Sequence, residues 1–178
     1  MEWIPQGFCS RGETRVKESN ALVLDSADHR IIHELSLDAR ASDVAIGERI
    51  NLSSSSVARR RKALEDSGII LGYDVRLDLG MLGLSGVVVV SLELTSQSVE
   101  VLDEFEREVI ERPSISYCGF VSGENDFVIL IHVASFNDYD TIYRRELSTL
   151  PHVAKIKSSF VLRQVARRAN PPIILQKR

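Results

Sequence analysis

Between Ser42 and Gly68 the chain sets two helical segments almost end to end, with only Asn51-Leu52-Ser53 between them. Ser42 and Ser53 are side chains that cap helix N-termini, Asn51 tolerates the left-handed conformation that ends a helix, and Gly68 closes the second segment. Val44, Ile46 and Ile50 read as the inward side of the first segment, and Gly47 offers a place for close helix approach. Val57 and Leu64, at i and i+7, read as the inward side of the second. Upstream, Asp25 caps a further helix with Asp28 in its positive first turn; Ile31, Ile32 and Leu35 form its apolar stripe, and it ends near Asp38. A helix, a turn of about three residues and a second helix with a polar start make a helix-turn-helix. The plainer alternative is a small bundle of three packed helices.

The second of the abutting helices opens with Ser53, Ser54, Ser55 and Ser56, then runs through Arg59, Arg60, Arg61 and Lys62. Hydroxyls and helix N-terminal amides suit phosphates and base edges, and arginines suit phosphate oxygens or guanine. Taken alone, the run is equally a solvated basic face. The net charge of −3 excludes a general polycation, but the charge is segregated. Residues 86–154 hold twelve acidic and four basic side chains, whereas residues 155–178 hold seven basic ones and no acid. An acidic middle with two separate basic patches suits a protein that meets nucleic acid through particular surfaces.

Residues 1–23 carry no sustained period and read as a mobile arm, residues 24–72 as the helix-turn-helix domain, and residues 73–85 as a linking strand with Tyr73, Val75, Leu77 and Leu79 on one face. From Gly86 onward the pattern predicts a strand at GVVVVSLEL, a helix over Val99 to Ile110 with Val99, Leu102, Phe105, Val109 and Ile110 apolar, and strands at Ile115 to Val121 and Phe127 to Val133. A helix from about Asn137 to Leu147 and a strand at Val153 to Leu162 complete it. Strand, helix, strand, strand, helix, strand is the split βαβ order, so residues 86–165 read as a ferredoxin-like βαββαβ domain and the whole chain as α+β. Two helices cover one sheet face; the other is apolar too, through Val87 to Val90 and Val128 to Ile131, which predicts self-association sheet to sheet. Residues 166–178 form a basic tail that either contacts DNA or shields the last strand, and Ile173, Ile174 and Leu175 suggest that it docks.

Four stretches carry a resemblance to a known family: LDSADHRIIHEL, RINLSSSSVARRRKALEDSGIILGY, SGENDFVILIHV and LPHVAKIKSSFVL. In order and spacing the chain resembles the Lrp/AsnC, or feast/famine, transcriptional regulators from Leu24 to about Val165. The resemblance implies an N-terminal winged helix-turn-helix joined to a ferredoxin-like sensing domain, dimers that assemble further into tetramers or octamers, and a small effector, usually an amino acid. It turns Ser54, Ser55, Ser56, Arg59 and Arg60 toward double-stranded DNA, and Ser53 and Lys62 complete the candidate contact set. It also makes Gly123, Glu124, Asn125 and Asp126 the candidate effector site. Such a turn can hold an ammonium group through Asp126 or Glu124 while backbone amides take a carboxylate, and it can equally be a plain hairpin turn with solvated acids.

The chain departs from the family pattern in three places. Asn51 stands where glycine is usual, and both reach positive φ. Ser54 and Ser56 stand where many members have prolines. Arg61 takes a position that usually holds a Val or Ile packed with Val57 and Leu64, so it must snorkel outward or find an acidic partner.

No other constellation carries chemistry. His29 and His33 share one helix face but turn mainly to solvent, which makes a metal site a minor reading. His132 reads as a hydrogen-bonded core or interface histidine, and His152 sits at a turn after Pro151. No nucleophile elbow, phosphate loop or His-Cys-Asp set is present, so no catalytic residue and no cofactor is expected. The alternative is an enzyme resembling the sirohaem decarboxylases, which share the general fold. Cys9 and Cys118 fit no zinc or disulfide spacing, the start is not a secretory signal and no segment is long enough to span a bilayer, so the expected compartment is the cytoplasm.

Overall fold

Asp25 starts the first helix, α1 (Ser26–Leu37), through a reciprocal cap. Its carboxylate accepts from the amides of Ala27 and Asp28 at 2.8 and 3.0 Å, and Asp28 accepts in return from the Asp25 amide at 3.0 Å. These bonds satisfy amides that have no partner inside the helix. Helix α2 (Asp43–Ile50) is capped by Ser42, which accepts from Ala45, and ends at Asn51 with φ 56°. Helix α3 (Ser54–Asp66) is capped by Ser53, which accepts from Ser56. The computed structural model describes residues 23–168 and 170–175; the expected N-terminal arm lies, but for Val23, outside the described residues.

The described residues fall into two compact units, residues 23–76 with 166–175, and residues 77–165. In the helical unit Ile31, Leu35, Ile46, Ile50, Val57 and Leu64 form one core, against which Leu24, Leu52 and Ile70 pack. Val44 does not join them and is 57% exposed. At about 100° per residue it lies nearly opposite Ile46 on α2, so only one of the two can face inward. An added Cβ at Gly47 would stand 2.5 Å from the Leu52 carbonyl oxygen, so the turn into α3 folds back over a site that no side chain can fill. Arg30 of α1 donates to the last carbonyl of α2, that of Ile50, at 3.0 Å. The tail's short 3-10 turn, Pro172–Leu175, comes back against α1.

After Gly68, whose φ of +74° ends α3, residues 71–78 form no strand. The expected linking strand and the wing implied by the resemblance are therefore absent among the described residues. A strand needs a neighbouring edge with which to exchange ladder hydrogen bonds, and three helices offer none; Leu71 and Val75 stand exposed instead.

The second unit runs β1 (Gly86–Leu94), α4 (Val99–Ile110), β2 (Ile115–Phe120), β3 (Phe127–Val133), α5 (Phe136–Ile142) with a π-helical turn on to Leu147, and β4 (Val153–Phe160). The strands lie in the order β2-β3-β1-β4, every neighbour antiparallel, which is the expected ferredoxin-like arrangement. On one face Val88, Val90, Leu92 and Leu94 of β1 and Phe127, Ile129, Ile131 and Val133 of β3 are buried with Phe105 and Val109 of α4 and Tyr139, Ile142 and Leu147 from α5 and its continuation. Val99 and Ile110, at the two ends of α4, overhang this core and are exposed. On the other face Val89 pairs with Leu130 and Val87 with His132, and all four remain only half-buried.

Replacing Gly47 by Ala forces a Cβ against backbone that cannot swing aside. The expected cost to the helical unit is about 1–3 kcal/mol, read as a lower urea midpoint for loss of helical signal; an unchanged midpoint would show that the turn relaxes freely.

Candidate nucleic-acid interface and sensing turn

The start of α3 presents hydroxyls and a positive helix end with no acid in its first turn. Ser54 and Ser55 are exposed, Ser53 is occupied as the cap, and Ser56 is half-buried. Rotation of about 100° per residue then divides the basic run. Val57 and Leu64 face the core, Arg60 and Arg61 flank them on either side, and Ser55, Arg59 and Lys62 share the opposite, outward face.

The side chains follow that geometry. Arg59 is exposed and makes no ion pair among the described residues, and Lys62 is 74% exposed with only a long contact of 3.4 Å to Asp66. Arg60, by contrast, places Nη1 2.8 Å from both Asp28 and Asp25, and its side chain is 25% exposed. The candidate DNA contact Arg60 is thus engaged with the cap of α1, its Nε buried without a partner. The Asp28 amide, and after it Arg60, hold the Asp25 carboxyl below its ordinary 3.8. A depressed carboxyl contributes stability above its ordinary range and loses it as pH falls through the lowered value, so this tie holds at neutral pH. Of the two alternatives open to Arg61, the structure shows acidic partners: Asp43 at 3.4 Å and Glu65 at 3.3 Å, with the Tyr73 hydroxyl at 2.8 Å. Sequence reasoning missed the partner of Arg60, although Asp25 and Asp28 were already visible as the cap.

The turn between β2 and β3 places its four candidates unequally. Glu124 is exposed, Asn125 is half-buried and Gly123 has φ +132°, whereas Asp126 is only 6% exposed. Asp126 accepts from the Leu94 amide at 2.7 Å with one carboxylate oxygen and from Gln97 Nε2 at 2.6 Å with the other. Its own amide donates to Leu92. Each carboxylate oxygen thus takes one donor, fastening the turn to the end of β1 and to the loop that follows it, and the group is buried rather than presented to solvent.

Among the described residues no group of three His, Cys, Asp or Glu is placed to hold a metal ion. His33 lies 3.7 Å from Glu34. His152 has φ 59° and pairs with Glu104 of α4 at 2.8 Å, a tie between α4 and the start of β4 that position after Pro151 did not announce. No helix among the described residues is long and apolar enough to cross a membrane.

Comparison with known proteins adds to this geometry. Residues 24–65 match the model of the AsnC-type helix-turn-helix domain, and residues 87–171 match that of the Lrp/AsnC ligand binding domain. A proline dehydrogenase transcriptional activator from Rhodobacter capsulatus is 31% identical over 151 residues, 85% of this chain and 98% of the relative. A bkd operon transcriptional regulator from Pseudomonas aeruginosa is 32% identical over 150 residues, 84% and 98% of the two chains. Among solved structures, a transcriptional regulator from Neisseria meningitidis in complex with L-Met superposes with a TM-score of 0.79 at 26% identity, covering 84% of this chain and 97% of that one.

Truncating Asp126 to Ala leaves the buried Leu94 amide without an acceptor. The expected loss is about 1–3 kcal/mol, seen as a lower melting temperature of the sheet unit; an unaltered melt would mean that the turn is held by its backbone bonds alone.

Proposed function

This chain belongs to the Lrp/AsnC family of DNA-binding transcriptional regulators, and from that premise we propose that the outward face of α3, Ser55, Arg59 and Lys62 together with Ser54, is its DNA-contacting surface. The observation that carries the reading is the division of the basic run. Arg59 and Lys62 are available cations on one face of the second helix of a helix-turn-helix, beside a serine-rich N-terminus whose amides suit a phosphate. Ser53, Ser56 and Arg60 belong to the same surface as supports: two shape the helix start, and Arg60 fixes α3 to α1. The matched families and relatives are regulators, and the enzymatic alternative is set aside.

The proposed active form is a homodimer in the cytoplasm. Its support is the half-buried apolar face of the sheet, Val87, Val89, Val128 and Leu130, which water solvates poorly and which a second copy would cover with two-fold symmetry. The proposed effector is an amino acid. That proposal rests on the ligand-binding family of residues 87–171 and on a relative solved with L-Met. Within the candidate turn, Gly123, Glu124 and Asn125 are the residues offered to it, and Asp126 serves by holding them in place.

The DNA assignment is tested by replacing Arg59 and Lys62 with Ala together and following binding to the protein's own promoter region. Each lost phosphate contact should reduce the slope of log affinity against log salt by about one. If affinity and slope both stay as in the parent, α3 does not meet DNA through this face. Assembly and sensing are read together by sedimentation and melting of the full chain, alone and with each of the twenty amino acids. The expected result is a mass of at least two protomers and a raised melting temperature with one or a few of them. A monomer throughout would sink the sheet-to-sheet dimer, and a melt indifferent to all of them would sink the amino-acid effector.

A further inference from the structure

Beyond its own helix Arg61 reaches Asp43 of α2 and Tyr73 of the segment after α3, and neither contact lies on the proposed DNA-facing side. At Gly68 the chain turns sharply: the amides of Ile69 and Ile70 both donate back to the Leu64 carbonyl at 3.0 Å, and Ile70 packs on the helical core. The following residues then return along α3. The Tyr73 hydroxyl donates to Glu65 at 2.7 Å and accepts from Arg61 Nε at 2.8 Å, and the guanidinium carbon stands 4.8 Å from the Tyr73 ring centroid. The other end of the same guanidinium reaches Asp43 in the first turn of α2. One planar group thus spans three pieces of the unit: the start of α2, the body of α3, and the first residues of the segment that leads out of it.

At Arg61 this helix is held by charge and a ring. An apolar contact is non-directional and tolerates small rotations, whereas a forked guanidinium with a stacked ring and two carboxylates prescribes an orientation. Beyond Tyr73 the chain is exposed and has no strand partner, so Tyr73 is the last side chain of this segment fastened to α3.

We propose that Arg61, Glu65 and Tyr73 form a positioning latch that ties the recognition helix to the segment leaving the helical unit, so that the orientation of the Ser55, Arg59 and Lys62 face depends on how that segment is held. This rests on the reading of α3 as the recognition helix. The latch gives the linking segment a handle on DNA recognition without any contact between Arg61 and DNA: release of Tyr73 removes one of the ties that set the tilt of α3 while Arg60 still holds it to α1, and base-edge contacts suffer before phosphate contacts do.

The test uses the full-length protein with Arg61→Leu and, separately, Tyr73→Phe, the latter removing a single hydroxyl and no charge. Each is measured against two probes: a duplex that the parent protein has selected from a randomised pool, and an unrelated duplex of the same length. Misorientation should weaken binding to the selected duplex about tenfold while leaving the unrelated duplex unaffected, because non-specific binding is electrostatic and insensitive to base register. Equal losses on both probes would make Arg61 a phosphate contact and overturn the latch, as would full retention of the selected duplex by both variants. Should Arg61→Leu fail to fold, as judged by its melt, Tyr73→Phe alone decides. The underlying reading fails separately: a double Arg59→Ala, Lys62→Ala variant that binds both duplexes like the parent removes α3 from DNA whatever the latch variants do.

Discussion

Where α2 meets α3, the Leu52 carbonyl oxygen occupies the space that a side chain at residue 47 would need, and the helical unit is assembled around that contact. α2 has eight residues, too few to persist as a helix in water unless packing supplies the stability that propagation cannot. Close approach at the turn supplies it, bringing Ile46 and Ile50 into one core with Val57 and Leu64. The same contact leaves the serine-rich start of α3 outside the core, where its amides and hydroxyls are open to a ligand. A single backbone approach therefore sets both the stability of the unit and the exposure of its interface.

Around that core, charge is distributed by helix geometry rather than by composition. Four consecutive cations on α3 look like one patch in the linear chain, but rotation puts two of them beside the core and two opposite it. The inner pair are neutralised, Arg60 by the capping carboxylates of α1 and Arg61 by Asp43 and Glu65. A partly buried guanidinium without such partners would be costly, and removing either carboxylate partner would expose that cost. What remains for the proposed DNA contact is a smaller and better defined surface, two cations and two serines, backed by a frame of ion pairs.

The sheet unit solves a different problem. One of its two inner strands, β1, pairs on both sides and carries valines on both faces, so helices on one side cannot complete the burial. The face they leave is flanked on β4 by Lys155 and Lys157, registered beside Glu93 and Ser91, an apolar centre with a charged margin, which is the basis of the dimer proposed above. The turn that the sequence offers for ligand chemistry is held by its most buried carboxylate, which engages the end of β1 through one oxygen and Gln97 in the following loop through the other. Here an acid that reads as a ligand group makes structural bonds, and the proposed recognition falls to its neighbours and the backbone.

Helix starts and ends, strand spans and the βαββαβ order were legible in the amino-acid sequence because each depends on neighbours within a turn or a pleat: Asp25, Ser42 and Ser53 as caps, Asn51 and Gly68 as stops, and the alternation through Gly86–Leu94. That Arg61 must snorkel outward or find an acidic partner was legible too, from its departure from the family pattern beside Val57 and Leu64. Which acids partner it was not. Arg60 meets Asp28, and Asp126 meets Leu94, each across 32 residues of chain, and such pairs exist only once helices have crossed and strands have taken their register. Local sequence determines what each segment becomes, because backbone propensity and capping act at short range. Which polar side chains stay free to bind is decided by tertiary packing, because burial and charge pairing depend on what arrives from elsewhere in the chain.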